Sequence, residues 1–196
     1  MATFTNAATL SYNGNTLVSN TVTGTLQELL TVSKTAVGDT YAPNGEAVFA
    51  VSLVNSGAAA LTGLTLNDNL GAYAYNTSTL YPLTYIDGSI QYYINGVLQA
   101  APTATAGPPL VISGINVPAG GNALLVYKAK VNEYAPPAQG STITNTASVT
   151  GAGISTAVTD QAVITAQAAP ELRIIKSLSP TTVSDNGELT YTFTIE

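Results

Sequence analysis

The chain has 196 residues, of which 45% are hydrophobic and only 8% charged, and 11 acids against 5 bases give a net charge of −6. It contains no His, Cys or Trp, so the usual general base, thiolate nucleophile, disulfide and transition-metal ligands are missing; an enzyme acting on a substrate, a cofactor or a metal centre is not expected. Lys34, Lys128, Lys130, Arg173 and Lys176 are too scattered to line a phosphate backbone, and no apolar run nears the roughly 20 residues of a membrane-spanning helix, so neither nucleic acid nor a membrane is an expected partner.

Period-2 alternation rich in Val, Ile, Thr, Tyr and Phe runs from end to end, and no stretch carries a helical stripe. The predicted class is all-β, an immunoglobulin-like antiparallel sandwich with partial domains at both ends. In chain order, the opening MATFTNAATL lacks the basic flank and apolar centre of a secretory signal, so no export signal is expected. Within it Phe4, Asn6, Ala8 and Leu10 share one strand phase, and Asn13-Gly14 marks a turn. Leu30, Val32, Lys34 and Ala36 share a phase before the turn at Pro43-Asn44-Gly45. Leu64, Leu66, Asp68 and Leu70 follow in another strand. Ser89 to Ile94, then Asn95-Gly96, then Val97 to Gln99, is the clearest hairpin, because Asn-Gly readily takes the positive φ angles of a type I′ turn. After a turn at Ala119-Gly120-Gly121 comes the alternation Ile143, Asn145, Ala147, Val149. Ala166 to Glu171 reads as a linker, and Leu172, Ile174, Lys176 and Leu178 begin a new strand.

Two internal matches organise these elements. Lys34 and Lys176 each precede the glycine of an Asn-Gly-Glu turn by 11 residues, in the contexts Val32-Ser33-Lys34-Thr35 and Ile174-Ile175-Lys176-Ser177. Phe4-Thr5-Asn6-Ala7-Ala8-Thr9-Leu10 matches Ile143-Thr144-Asn145-Thr146-Ala147-Ser148-Val149. The offsets are 142 and 139 residues. The expected organisation is therefore closing strands of a partial domain over 1–28, a complete sandwich over 29–168, and a linker with the opening strands of a further partial domain over 169–196.

Strand parity singles out three polar residues. Lys34, Asp68 and Asn145 lie in phase with apolar neighbours on an opening, a middle and a closing strand, so each is expected to face the core. A buried lysine or aspartate is costly unless paired or neutralised. A neutral Lys34 amine attacking the Asn145 carboxamide, with a protonated Asp68 polarising the carbonyl and shuttling protons, releases ammonia and leaves an intramolecular isopeptide bond. A buried Lys34–Asp68 ion pair with Asn145 hydrogen-bonded alongside satisfies the same parity, and parity alone favours that simpler arrangement.

The opening Leu30-Thr31-Val32-Ser33-Lys34-Thr35, together with Val54-Asn55-Ser56-Gly57, Leu66-Asn67-Asp68-Asn69-Leu70, Val117-Pro118-Ala119-Gly120-Gly121 and Ile143-Thr144-Asn145-Thr146-Ala147, resembles the bacterial surface-repeat family known as domain of unknown function eleven. The order Lys, Asp, Asn is also similar to the isopeptide-forming collagen-adhesin and pilin domains of Gram-positive bacteria. That similarity implies crosslink partners at Lys34 and Asn145, with Asp68 as the autocatalytic acid. The expected function is a structural subunit of a self-assembling bacterial surface or spore-appendage fibre. Copies would join head to tail by strand complementation, with Asn6, Lys176, Phe4, Leu10, Leu172 and Ile174 as intersubunit candidates. The alternative is an adhesin stalk or binding module for a host or matrix ligand at the cell surface. Asp39, Asp87 and Asp160 are not closely spaced enough for a loop calcium site and read as solvated turn residues. Tyr73, Tyr75, Tyr81, Tyr85, Tyr92 and Tyr93 form either a sticky surface or core and edge packing, and Asn76-Thr77-Ser78 fits a glycosylation sequon.

Overall fold

The computed structural model describes residues 3–25, 27–151, 153–168 and 173–196. Among them every regular element is a strand. The first four are β1 (Thr3–Asn6), β2 (Thr9–Tyr12), β3 (Asn15–Val18) and β4 (Val22–Thr25). Then come β5 (Leu30–Ala36), β6 (Thr40–Tyr41), β7 (Glu46–Asn55), β8 (Leu61–Asp68), β9 (Tyr73–Tyr75), β10 (Ser78–Leu80) and β11 (Leu83–Tyr85). β12 (Gln91–Ile94), β13 (Val97–Gln99), β14 (Thr103–Thr105), β15 (Leu110–Val117), β16 (Asn122–Val131), β17 (Thr142–Thr150) and β18 (Val158–Ala166) follow, and β19 (Ile174–Ser179) and β20 (Thr190–Ile195) end the chain.

Two sheets make the sandwich. One has the order β13-β12-β16-β7-β5, with β11 also on β16; the other runs β14-β15-β8-β17-β18-β6. All pairs are antiparallel except β18 with β6. Alternation along each strand delivers one face inward, so Phe49, Val51, Leu53 and Leu125 from the first sheet meet Leu64, Leu66, Ile112 and Ile164 from the second, all essentially without solvent exposure. Each such apolar side chain contributes about 1.5–3 kcal/mol by leaving water. Where β5 and β18 meet across the two sheets, the Asp160 carboxylate accepts the Lys34 backbone N–H at 2.6 Å. Asp160 is thus a half-buried strand residue that ties the sheets together, not a solvated turn residue.

The turns follow their chemistry. Asn13, Asn44 and Asn95 all have positive φ, and the Asn95-Gly96 hairpin pairs Ile94 with Val97. Its first strand begins at Gln91, later than the alternation predicts, because Ser89 N–H closes a turn onto the Ile86 carbonyl at 3.2 Å. β11 and β12 therefore pair with β16 on either side of a bulged stretch. Ala166 is equally not a linker residue: it ends β18, opposite Tyr41 of β6, and belongs to the core. Ala169, Pro170 and Glu171 lie outside the described residues.

Outside the sandwich, β1 pairs β4, β2 pairs β3, and β19 pairs β20, each as a two-stranded sheet. The predicted single phase through Phe4, Asn6, Ala8 and Leu10 is interrupted between β1 and β2, where Ala8 exchanges hydrogen bonds with Ser19. The β19–β20 register is that of β5–β7 moved along by 142 residues: Val32 faces Leu53 as Ile174 faces Ile195, and Lys34 faces Val51 as Lys176 faces Phe193.

Candidate functional site

Lys34 sits at the third inward position of β5, in the first sheet. Asp68 ends β8 and Asn145 occupies β17, both in the second sheet. Because β5 crosses the closing strands of the opposite sheet, the three side chains converge in the core. Lys34 is 3% exposed, and Asp68 and Asn145 are 0% exposed.

Lys34 Nζ donates to Asp68 Oδ2 and, at 3.0 Å, to Tyr127 Oη. Tyr127 in turn donates its hydroxyl to the same Oδ2. Asn145 Nδ2 donates to Tyr127 Oη over 3.5 Å. The Asn145 carbonyl oxygen accepts the Gly71 backbone N–H at 3.3 Å. The geometry thus differs from the expectation that Asp68 polarises the carbonyl: a backbone donor stands at Oδ1, and the Tyr127 hydroxyl stands between the acid and the amide nitrogen. Among the described residues, no buried side-chain nitrogen or oxygen is left without a partner.

The donors come from a tight turn. Leu70 and Gly71 both take the left-handed conformation, with φ of 52° and 72°. This lets the Leu70 N–H reach Asp68 Oδ1 at 2.9 Å, while Asn69 Oδ1 accepts from Gly71 at 3.0 Å and from Thr146 of β17 at 2.8 Å. A bulky residue such as Leu70 in that region is strained, and the hydrogen bonds of the turn fix the acid and the carbonyl donor relative to β17.

Apolar walls set the electrostatics. Phe49 stacks on Tyr127 with ring centroids 5.7 Å apart, and Lys34 Nζ lies 5.0 Å from the centre of the Phe49 ring. Burial lowers the Lys34 pKa, against the attraction of Asp68 and Asp160, which raises it. Burial, then the charge of Asp68, push the Tyr127 hydroxyl well above its ordinary value. The three residues take the simpler arrangement, a buried Lys34–Asp68 pair with Asn145 alongside, in which burial shifts Lys34 toward its uncharged amine relative to a solvated lysine and holds the Tyr127 proton to higher pH.

Tyr127 and Gly71 escape sequence reasoning. Tyr127 shares its phase with Leu125 and Ala129 and so reads as one more core residue, and the Gly71 contribution is a backbone atom. Of the intersubunit candidates, Phe4, Asn6 and Leu10 lie exposed on the N-terminal hairpins, and Ile174 and Lys176 on β19, while Leu172 lies outside the described residues. Lys176 keeps only the aromatic contact of Lys34, with Nζ 4.4 Å from the Tyr191 ring centre and 5.3 Å from that of Phe193. Of the six tyrosines singled out, Tyr85 and Tyr92 are buried, Tyr75 is exposed, and Tyr73, Tyr81 and Tyr93 are half-buried. No group of three or more metal-ligating acids occurs among the described residues.

No protein-family model matches the chain. No curated protein matches it either. Solved structures do. A variant of the major pilin subunit of Bacillus cereus is 14% identical, with a TM-score of 0.52 over 87% of this chain and 50% of that one. The N-terminal domain of a Streptococcus gordonii adhesin is 9% identical, with a TM-score of 0.51 over 81% of this chain and 37% of that one. The chain spans half of the first and just over a third of the second. At such identities the likeness is one of fold, an all-β sandwich of the kind found in pilins and adhesins.

Proposed function

We propose that this chain is a non-enzymatic structural subunit of a bacterial surface or spore-appendage fibre, of the type of domain of unknown function eleven. In this reading its sandwich is stapled by an isopeptide bond between Lys34 and Asn145, and copies join head to tail through their terminal hairpins. The observation that carries the reading is the buried cluster of Lys34, Asp68 and Asn145, in which the opening strand of one sheet and a middle and a closing strand of the other send polar side chains to one hydroxyl, that of Tyr127. The reacting groups are the chain's own and are shut off from solvent, which suits a single self-modification and not turnover of a substrate.

A chain without cysteine gains from such a staple what secreted proteins gain from disulfides. The bond would close a loop from residue 34 to residue 145, and its loss would lower thermal stability by about 4–5 kcal/mol on the chain-entropy argument. Intact mass tests the staple. Wild type should be lighter than its sequence by one ammonia, while Lys34→Ala and Asp68→Ala should show their full masses; wild type at full mass removes the staple. Electron microscopy of purified protein tests the fibre: filaments are expected, and a strict monomer that binds a ligand saturably points to the adhesin reading instead.

A further inference from the structure

The proposed crosslink needs a route for one proton, and the cluster contains a residue placed on that route. We propose that the Tyr127 hydroxyl is a fourth catalytic group of this site, relaying the proton released by Lys34 from Asp68 to the departing nitrogen of Asn145. The inference rests on the isopeptide reading above.

Three contacts carry it. The hydroxyl touches the nucleophile, since Lys34 Nζ donates to it at 3.0 Å; it touches the acid, donating to Asp68 Oδ2; and it is the group that Asn145 Nδ2 faces, at 3.5 Å. Asp68 itself has no hydrogen bond to Asn145: its Oδ1 is engaged by the Leu70 N–H and its Oδ2 by Lys34 and Tyr127. The hydrogen-bonded path from Asp68 to the leaving nitrogen runs through the phenol.

The steps balance. The Lys34 amine lone pair attacks Cγ of Asn145, and the carbonyl electron pair moves onto Oδ1, where the Gly71 N–H receives the developing charge. In the planar amide Nδ2 has no free lone pair and can only donate to Tyr127. Once Cγ is tetrahedral, Nδ2 regains its lone pair and can accept. The Tyr127 proton then moves to Nδ2 while Asp68 reprotonates the phenol oxygen, and the proton lost by Nζ restores Asp68. The Cγ–Nδ2 bond breaks as the Oδ1 pair returns, ammonia leaves, and the Nζ–Cγ amide remains. A raised pKa suits a phenol that must stay protonated until this moment.

The test is the rate of ammonia loss after the chain, isolated unfolded from inclusion bodies, is diluted from denaturant. Tyr127→Phe keeps the ring and its stack on Phe49 and removes only the hydroxyl. It should fold, by circular dichroism, and lose ammonia at least about 100-fold more slowly than wild type, the lower end of what a positioned acid–base group contributes. Leu53→Val, farther along the inward face of β7, loosens the same core with the hydroxyl and its stack intact and should react within a few-fold of wild type. Equal rates for Tyr127→Phe and wild type overturn the relay and leave the crosslink standing. Equal slowing by Tyr127→Phe and Leu53→Val overturns it too, by assigning the effect to packing. Wild type that never loses ammonia overturns the crosslink and the relay together. If Tyr127→Phe does not fold, the wild-type rate in mixtures of light and heavy water decides: a bowed dependence on deuterium fraction, from two protons moving together, supports the relay, and a linear or absent dependence overturns it.

Discussion

Lys34 is tolerated in the core because every proton on its ammonium group has an acceptor or a ring nearby, yet it holds its charge less tightly than a solvated lysine. Burial lowers its pKa from the ordinary lysine value of 10.5, and the attraction of Asp68 only partly opposes this. The amine is nucleophilic only when unprotonated. Below pH 10.5, therefore, a larger fraction of Lys34 is reactive than of a solvated lysine, and the rate of ammonia loss on refolding should rise with pH and level off before that value is reached. A profile that climbs all the way to the ordinary lysine range would show that burial does not activate the amine. An Asn145→Ala variant retains the free amine and gives the matching stability test. Its unfolded state binds more protons than its folded state between the lowered pKa and 10.5, so stability should increase with pH in that window. Beyond it the raised Tyr127 pKa turns the slope negative, since the unfolded chain then loses a proton that the folded one keeps. Lys34, Asp68 and Asn145 are legible in the sequence because each is a polar interruption of a clean alternation, whereas a tyrosine is at home in a core and Tyr127 interrupts nothing.

At the level of elements, the turn that leaves β8 does the positioning. Gly71 must be glycine on two counts: its φ is 72°, and an added Cβ would lie 2.5 Å from Ile143 Cγ2 and 3.0 Å from Pro82 Cγ. Gly71→Ala should therefore cost about 1–3 kcal/mol of stability in thermal denaturation. It should also slow ammonia loss, because the N–H that faces Asn145 Oδ1 shifts with the backbone. Gly114→Ala is the control: at φ 86°, with nothing within 4 Å of its Cβ, it carries backbone strain alone and should crosslink at the wild-type rate. If both variants crosslink normally, the Gly71 N–H has no part in the reaction. Turns such as Asn95-Gly96 are legible because Asn and Gly are the residues that accept positive φ. The two bulges by which Gly63 and Gly114 shift the register of β8 and β15 are not, since a glycine inside a strand signals a bulge without saying which way the pairing slips. The strand order across the two sheets is equally hidden, because parity reports which face a residue takes and not which strand lies beside it.

For the whole molecule, the same hairpin occurs in two environments. In the sandwich, the faces of β5 and β7 are covered by the opposite sheet, and Val32, Val51 and Leu53 are 7%, 0% and 0% exposed. Their counterparts 142 residues later, Ile174, Phe193 and Ile195, are 68%, 59% and 71% exposed, on a hairpin of identical register. Covering each of these is worth about 1.5–3 kcal/mol, so the face favours a partner that resembles the closing strands of the sandwich. The N-terminal strands resemble them in sequence, Phe4-Thr5-Asn6 standing for Ile143-Thr144-Asn145, and they present Phe4 and Leu10 at 56% and 64% exposure. A joint in which residues 3–24 of one copy cover β19–β20 of the next would bring Asn6 toward Lys176 without an acid in the place of Asp68, so it should hold without a covalent bond. Deleting residues 1–24 should then abolish filaments and multimers in sedimentation while circular dichroism reports an intact sandwich, because β5 to β18 contribute all the core residues. Assembly that survives the deletion would mean that the exposed face of β19–β20 is covered by something other than these strands.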